Sequence, residues 1–93
     1  MPVVTLKLTG DIWARLGTGR MTFEFEGETL GDLLDALFHQ VAVRDLLLDE
    51  NGKTRPRSRM LVNGRFADTL QGLETPVRDG DLVVLMRPAL AAS

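Results

Sequence analysis

Val4, Leu6 and Leu8 alternate with Thr5 and Lys7 near the start of the chain, a period of two that predicts a strand with its aliphatic set facing a core. The same alternation returns in Met21-Thr22-Phe23-Glu24-Phe25-Glu26, with Met21, Phe23 and Phe25 directed inward. The stretch from Gly10 to Gly19 between them, marked by Gly17 and Gly19, is expected to be a long loop joining an antiparallel hairpin. The period then changes. Leu30, Leu33, Leu34, Leu37, Phe38 and Val41 fall on one face of a helix over about 30–41. Thr29 stands at its N-cap, and Asp32 three residues on completes a capping box with Asp in place of Glu. A second helical turn is expected over Arg44 to Asp49, closed by Asn51-Gly52.

Beyond a loop from Lys53 to Arg59, Met60-Leu61-Val62 predicts a short strand and Asn63-Gly64 a tight turn, with Phe66 and Ala67 beginning the return. Leu70 and Leu73 are expected to plug the core beneath an irregular segment. Leu82 to Met86 is a continuous apolar run, the mark of a central strand, and Pro88 stops it. Strand, strand, helix, strand, short strand, final strand is the β-grasp order. It is an α+β architecture with a mixed sheet and one main helix packed across one face. The expected organisation is one domain over 1–88 and a flexible tail over 89–93.

Composition narrows the chemistry. Cysteine is absent, which removes disulfides, a thiolate nucleophile and cysteine-ligated zinc. A formal net charge of −2 does not favour nucleic acid as a partner. No apolar run is long enough to span a membrane, and the N-terminus shows no secretory pattern, so a soluble cytoplasmic protein is expected. No metal-ligand spacing, P-loop or nucleophile–base pair is visible, so a carrier or binding protein is expected rather than an enzyme.

Several residues invite a chemical reading and are better explained structurally. Lys53, Arg55, Arg57 and Arg59 read as a solvated basic loop, since no aromatic side chains interleave with them. His39 falls near a helix C-terminus, where dipole or surface placement accounts for it. Trp13, beside Ile12 and Leu16, is expected to pack over the edge of the core. Asp79 and Asp81 flank Gly80 in a turn. The final strand is different. If Val83 and Leu85 face the helix, Leu82, Val84 and Met86 face the other side, and three apolar residues there suggest a docking surface.

Leu61-Val62-Asn63-Gly64, the segment Leu73 to Val77, and Asp79-Gly80-Asp81-Leu82-Val83-Val84-Leu85-Met86-Arg87-Pro88 together resemble the small sulfur carriers ThiS and MoaD. The opening strand and the helix start Thr29-Leu30-Gly31-Asp32-Leu33-Leu34 fit the same family. The resemblance implies a ubiquitin-like carrier that binds no cofactor itself. An adenylating partner enzyme would use ATP and a sulfur donor to convert the carrier's terminal carboxylate to a thiocarboxylate. It also implies docking through Leu82, Val84, Met86, Arg87 and Pro88, on the adenylating enzyme or on a sulfur-accepting one. Aligning Pro88 with the family's tail proline places Ala91 and Ala92 where the family carries Gly-Gly, with Ser93 one residue beyond. The chain has no Gly-Gly, and each alanine adds a methyl group in the place where the family presents none. The alternative is a non-conjugating binding module, or small subunit of a larger complex, that uses the same sheet face for a partner or for weak homo-oligomerisation.

Overall fold

The computed structural model describes residues 1–88. Strands β1 (Val3–Gly10), β2 (Arg20–Glu24), β3 (Arg59–Val62), β4 (Arg65–Phe66) and β5 (Leu82–Arg87) form one sheet in the order β2-β1-β5-β3-β4. β5 lies in the middle, parallel to β1 and antiparallel to β3, so the sheet is mixed. The helices are α1 (Asp11–Leu16), α2 (Leu30–Phe38) and the single turn α3 (Arg44–Leu47). This is the β-grasp arrangement expected from the alternation and its order.

The reason for two layers lies in which positions are buried. Val4, Leu6 and Leu8 of β1, Phe23 of β2, Met60 and Val62 of β3 and Val83 and Leu85 of β5 share one core cluster with Leu30, Leu33, Leu34 and Leu37 of α2. A period of two on the sheet meets a period of 3.6 on the helix, and both apolar faces leave water together. α2 starts where the capping box requires. The Asp32 amide donates to Thr29 Oγ1 at 3.2 Å, and Asp32 Oδ2 accepts from the amides of Glu28 at 2.9 Å and Thr29 at 3.2 Å. Asn63 and Gly64 both have positive φ, 51° and 84°, the primed turn whose twist matches the β3–β4 hairpin.

Four expectations are corrected. The stretch from Gly10 to Gly19 is not a plain loop but carries α1, which buries Ile12 completely. Trp13 does not pack over the core edge; it is 57% exposed. α2 ends at Phe38 rather than near 41, and Phe38 and Val41 pack at the core's margin. Leu70 is exposed, whereas Leu73 does pack against the core. His39 caps α2 from the surface, its Nδ1 2.7 Å from the Asp35 carbonyl. Among the described residues no helix is long and apolar enough to cross a membrane.

Gly10 decides how β1 ends. Its φ is +63°, and a Cβ there would sit 1.9 Å from the Arg87 carbonyl oxygen. Only glycine lets β1 turn away while remaining in register with the last residue of β5. Gly10→Ala is therefore expected to lose about 3 kcal/mol or more of stability in urea unfolding, from backbone strain together with the clash.

A second expectation concerns acid. The amides of Glu28 and Thr29 hold the Asp32 carboxyl below its ordinary pKa. A depressed carboxylate stabilises the fold fully above its unfolded pKa and loses that contribution as the pH falls through the folded value. Thermal melting should therefore drop as the pH falls below about 4, and Asp32→Asn should make that dependence shallower.

Candidate functional site

The register of the sheet assembles a surface that no single strand shows. Arg20 pairs with Lys7, Lys7 with Val84, Val84 with Leu61, and Leu61 with Phe66, so one row of side chains crosses all five strands on the face away from α2. The row on one side of it runs Thr22, Thr5, Leu82. The row on the other side runs Thr9, Met86, Arg59. The centre of this face is apolar: Leu82, Val84, Met86 and Leu61 are half-buried and Phe66 is exposed. Lys7, Arg20 and Arg59 stand around it, all exposed. Glu24, paired with Val3 at the far end of β2, is the acid on this face, so a chain with net charge −2 carries more cations than acids among the strand residues here.

Leu82, Val84 and Met86 are brought together as the alternation predicts. Leu61 and Phe66 join them, which the sequence reading missed because their register to β5 is not local. Arg87 is not part of this face. It follows Val83 and Leu85 in parity, and its Nη1 donates to the Leu46 carbonyl at 3.0 Å on the helix side. Pro88 is exposed at the end of the strand. Ala91, Ala92 and Ser93, the expected carrier tail, lie outside the described residues.

The root of that tail is closely built. β5 ends at Arg87, opposite Gly10. Arg57 Nη2 donates to the Pro88 carbonyl at 3.0 Å. The carbonyls at the end of α3 collect the neighbouring donors: Asp45 from Arg55 Nε at 2.6 Å, Leu47 from the Arg55 amide at 2.9 Å, and Leu46 from both Arg87 Nη1 and the buried Ser58 hydroxyl. These carbonyls carry the negative end of a helical turn, so guanidinium groups suit them. Arg87 Nε is buried with no partner among the described residues, so this guanidinium is satisfied only in part.

The basic stretch Lys53, Arg55, Arg57, Arg59 is consequently not a simple solvated run. Arg55 holds α3, Arg57 holds Pro88, and Arg59 donates to the carbonyls of Ser58 and Pro56. Arg15 pairs with Asp45 at 2.6 Å, and that hydrogen bond holds the Asp45 carboxyl below its ordinary pKa.

At the opposite end of the sheet, Asp79 accepts from the Val3 amide at 2.8 Å. Asp81 accepts from the Arg78 amide at 2.8 Å and from Asn63 Nδ2 at 3.0 Å, so both acids close turns. A recess of about 820 Å³ lies at this end too, bordered by Pro2, Glu28, Pro76 and Arg78. It is separated from Pro88 by the length of β5, about 17 Å.

Comparison with known proteins agrees with this geometry. The ThiS family model matches residues 7–89. A curated protein of Archaeoglobus fulgidus named "Putative sulfur carrier protein" is 35% identical over 75 residues, covering 78% of this chain and 84% of that one. The solution structure of small archaeal modifier protein 1 from Methanosarcina acetivorans superposes with a TM-score of 0.78 at 26% identity, covering 95% and 94% of the two chains. A chain of the BexX/CysO complex from Amycolatopsis orientalis gives 0.77 at 26% identity, covering 97% of this chain and 99% of that one.

Trp13 is the chain's one tryptophan, which makes its exposure directly measurable. Its emission should lie toward that of solvated indole, and acrylamide should quench a large part of it in the folded protein. A blue-shifted, protected emission would contradict the placement of α1.

Proposed function

This chain belongs to the ThiS family of ubiquitin-like sulfur carriers, and we propose that it docks on a partner enzyme through the outer sheet face while presenting its C-terminal tail to that enzyme's active site. The observation that carries the docking half is the single row Arg20–Lys7–Val84–Leu61–Phe66, three apolar side chains in succession with two cations at one end. A complementary partner surface is apolar with acidic groups at its rim. A standard interface takes about 800 Å² from each partner, which is within the reach of one sheet face.

The chemical half rests on the family. The terminal carboxylate would attack the α-phosphorus of ATP in the adenylating enzyme, forming an acyl adenylate and releasing pyrophosphate. A sulfide-level donor would then displace AMP and leave a thiocarboxylate. The carrier contributes no catalytic side chain to these steps. Its part is to be held by the sheet face and to supply a chain end of suitable shape. Ala91 and Ala92 in the diglycine positions make that shape the open variable, and they favour the second reading of a binding module whose tail has no reactive role.

Two measurements separate the readings. Intact mass after incubation with ATP, a sulfur donor and an adenylating enzyme of the same organism should show one oxygen replaced by sulfur. An unchanged mass, with binding preserved after removal of residues 89–93, would establish the non-conjugating module instead. Val84→Asp should weaken binding about a hundredfold under either reading, as expected for a charge buried at the centre of an interface, while lowering the melting temperature by only about 5–10 °C, the cost of Asp in a central strand, so that the protein stays folded in the assay.

A further inference from the structure

We infer that Arg57 is a positioning residue for the C-terminal tail: its guanidinium holds the Pro88 carbonyl and so fixes the direction in which the chain leaves the sheet. This rests on the carrier reading for its purpose, but its structural content stands apart from that reading.

Three contacts converge on the end of β5 from different sides. On the β1 side Gly10 approaches so closely that no Cβ fits against the Arg87 carbonyl. On the helix side the Arg87 guanidinium is tied to the Leu46 carbonyl, with Ser58 Oγ 3.5 Å away. These two set where the strand stops. Neither sets the orientation of the peptide plane that follows Pro88. The Arg57 bond to the Pro88 carbonyl at 3.0 Å does, because that oxygen belongs to the peptide unit leading into residue 89.

The pyrrolidine ring fixes φ at Pro88, leaving ψ as its one soft backbone angle, and a hydrogen bond on the carbonyl constrains ψ. Arg57 comes from the loop before β3, and Pro88 adjoins Arg87 at the end of β5, so the bond spans two neighbouring strands. It is also near the surface, where its loss does not open the core. A tail delivered into a partner's active site gains from such pre-set direction, since fewer orientations must be lost on entry.

The test uses the full chain and two independent readouts. In Arg57→Ala the melting temperature should stay close to wild type. The carbonyl carbon resonance of Pro88 should move upfield as it loses a charged donor, and Arg57→Lys should restore part of that shift. With an adenylating enzyme of the same organism, carrier-dependent ATP–pyrophosphate exchange should show kcat lowered about five- to tenfold with KM for the carrier unchanged, the size expected for ordering one freed backbone residue on entry. Lys53→Ala, a charge removed from the same loop, should leave both readouts as they are. An unmoved Pro88 resonance in Arg57→Ala overturns the proposal. So does a moved resonance with unchanged kcat, or a change confined to KM. Absence of exchange with the wild-type chain would sink the carrier reading and the purpose assigned here together, whereas normal wild-type exchange with an unaffected Arg57→Ala sinks this proposal alone.

Discussion

Parallel pairing between β1 and β5 is the constraint on which the rest of the molecule depends. It places Leu6 beside Val83 and Leu8 beside Leu85, joining strands from near the two ends of the described chain. A parallel pair cannot be closed by a tight turn, so a long crossover is obligatory. That crossover includes α2, which arrives on the face where Val83 and Leu85 already point. The core, the central position of β5 and the free outer face are therefore one arrangement. Without this pairing the β1–β2 and β3–β4 hairpins have no sheet in common.

β5 divides its residues between two tasks by parity. Val83 and Leu85 are fully buried under α2, while Leu82, Val84 and Met86 present an apolar outer face. A side-chain period of two means that a one-residue slip would exchange the sets, so core burial also enforces the composition of the outer face. Arg87 shows the rule at its limit. Its parity sends it to the helix side, where the carbonyls ending α3 can accept its guanidinium, and this anchors the strand where the tail begins.

The sequence made legible the elements whose burial is local in pattern. β1, β2 and α2 follow from alternation or helical spacing over a few residues, and β5 from an uninterrupted aliphatic run. α1 was hidden because Gly10, Gly17 and Gly19 frame it, it has only six residues, and no side chain caps its start. Only Ile12, fully buried, and Leu16 at its end tie it to the core, a signal too small for periodicity to detect. In the candidate site, Leu82, Val84 and Met86 were legible from alternation, and the same alternation could have excluded Arg87. Leu61 and Phe66 could not be placed, since their membership depends on the register of β3 against β5. By local sequence Arg57 is one more cation in a charged loop. Its bond to Pro88 links residues far apart in the chain, and neither local composition nor spacing encodes it.

The middle of the sheet is also the last of its strands to leave the ribosome. Until residues 82–87 emerge, two hairpins wait with unpaired edges and a leucine-lined helix lacks Val83 and Leu85 beneath it. Contacts of such long sequence separation form slowly and leave apolar surface in the open meanwhile. Assembly is thus deferred until synthesis has passed Arg87, and a nascent chain truncated before Leu82 would be a substrate for chaperones rather than a smaller version of the fold.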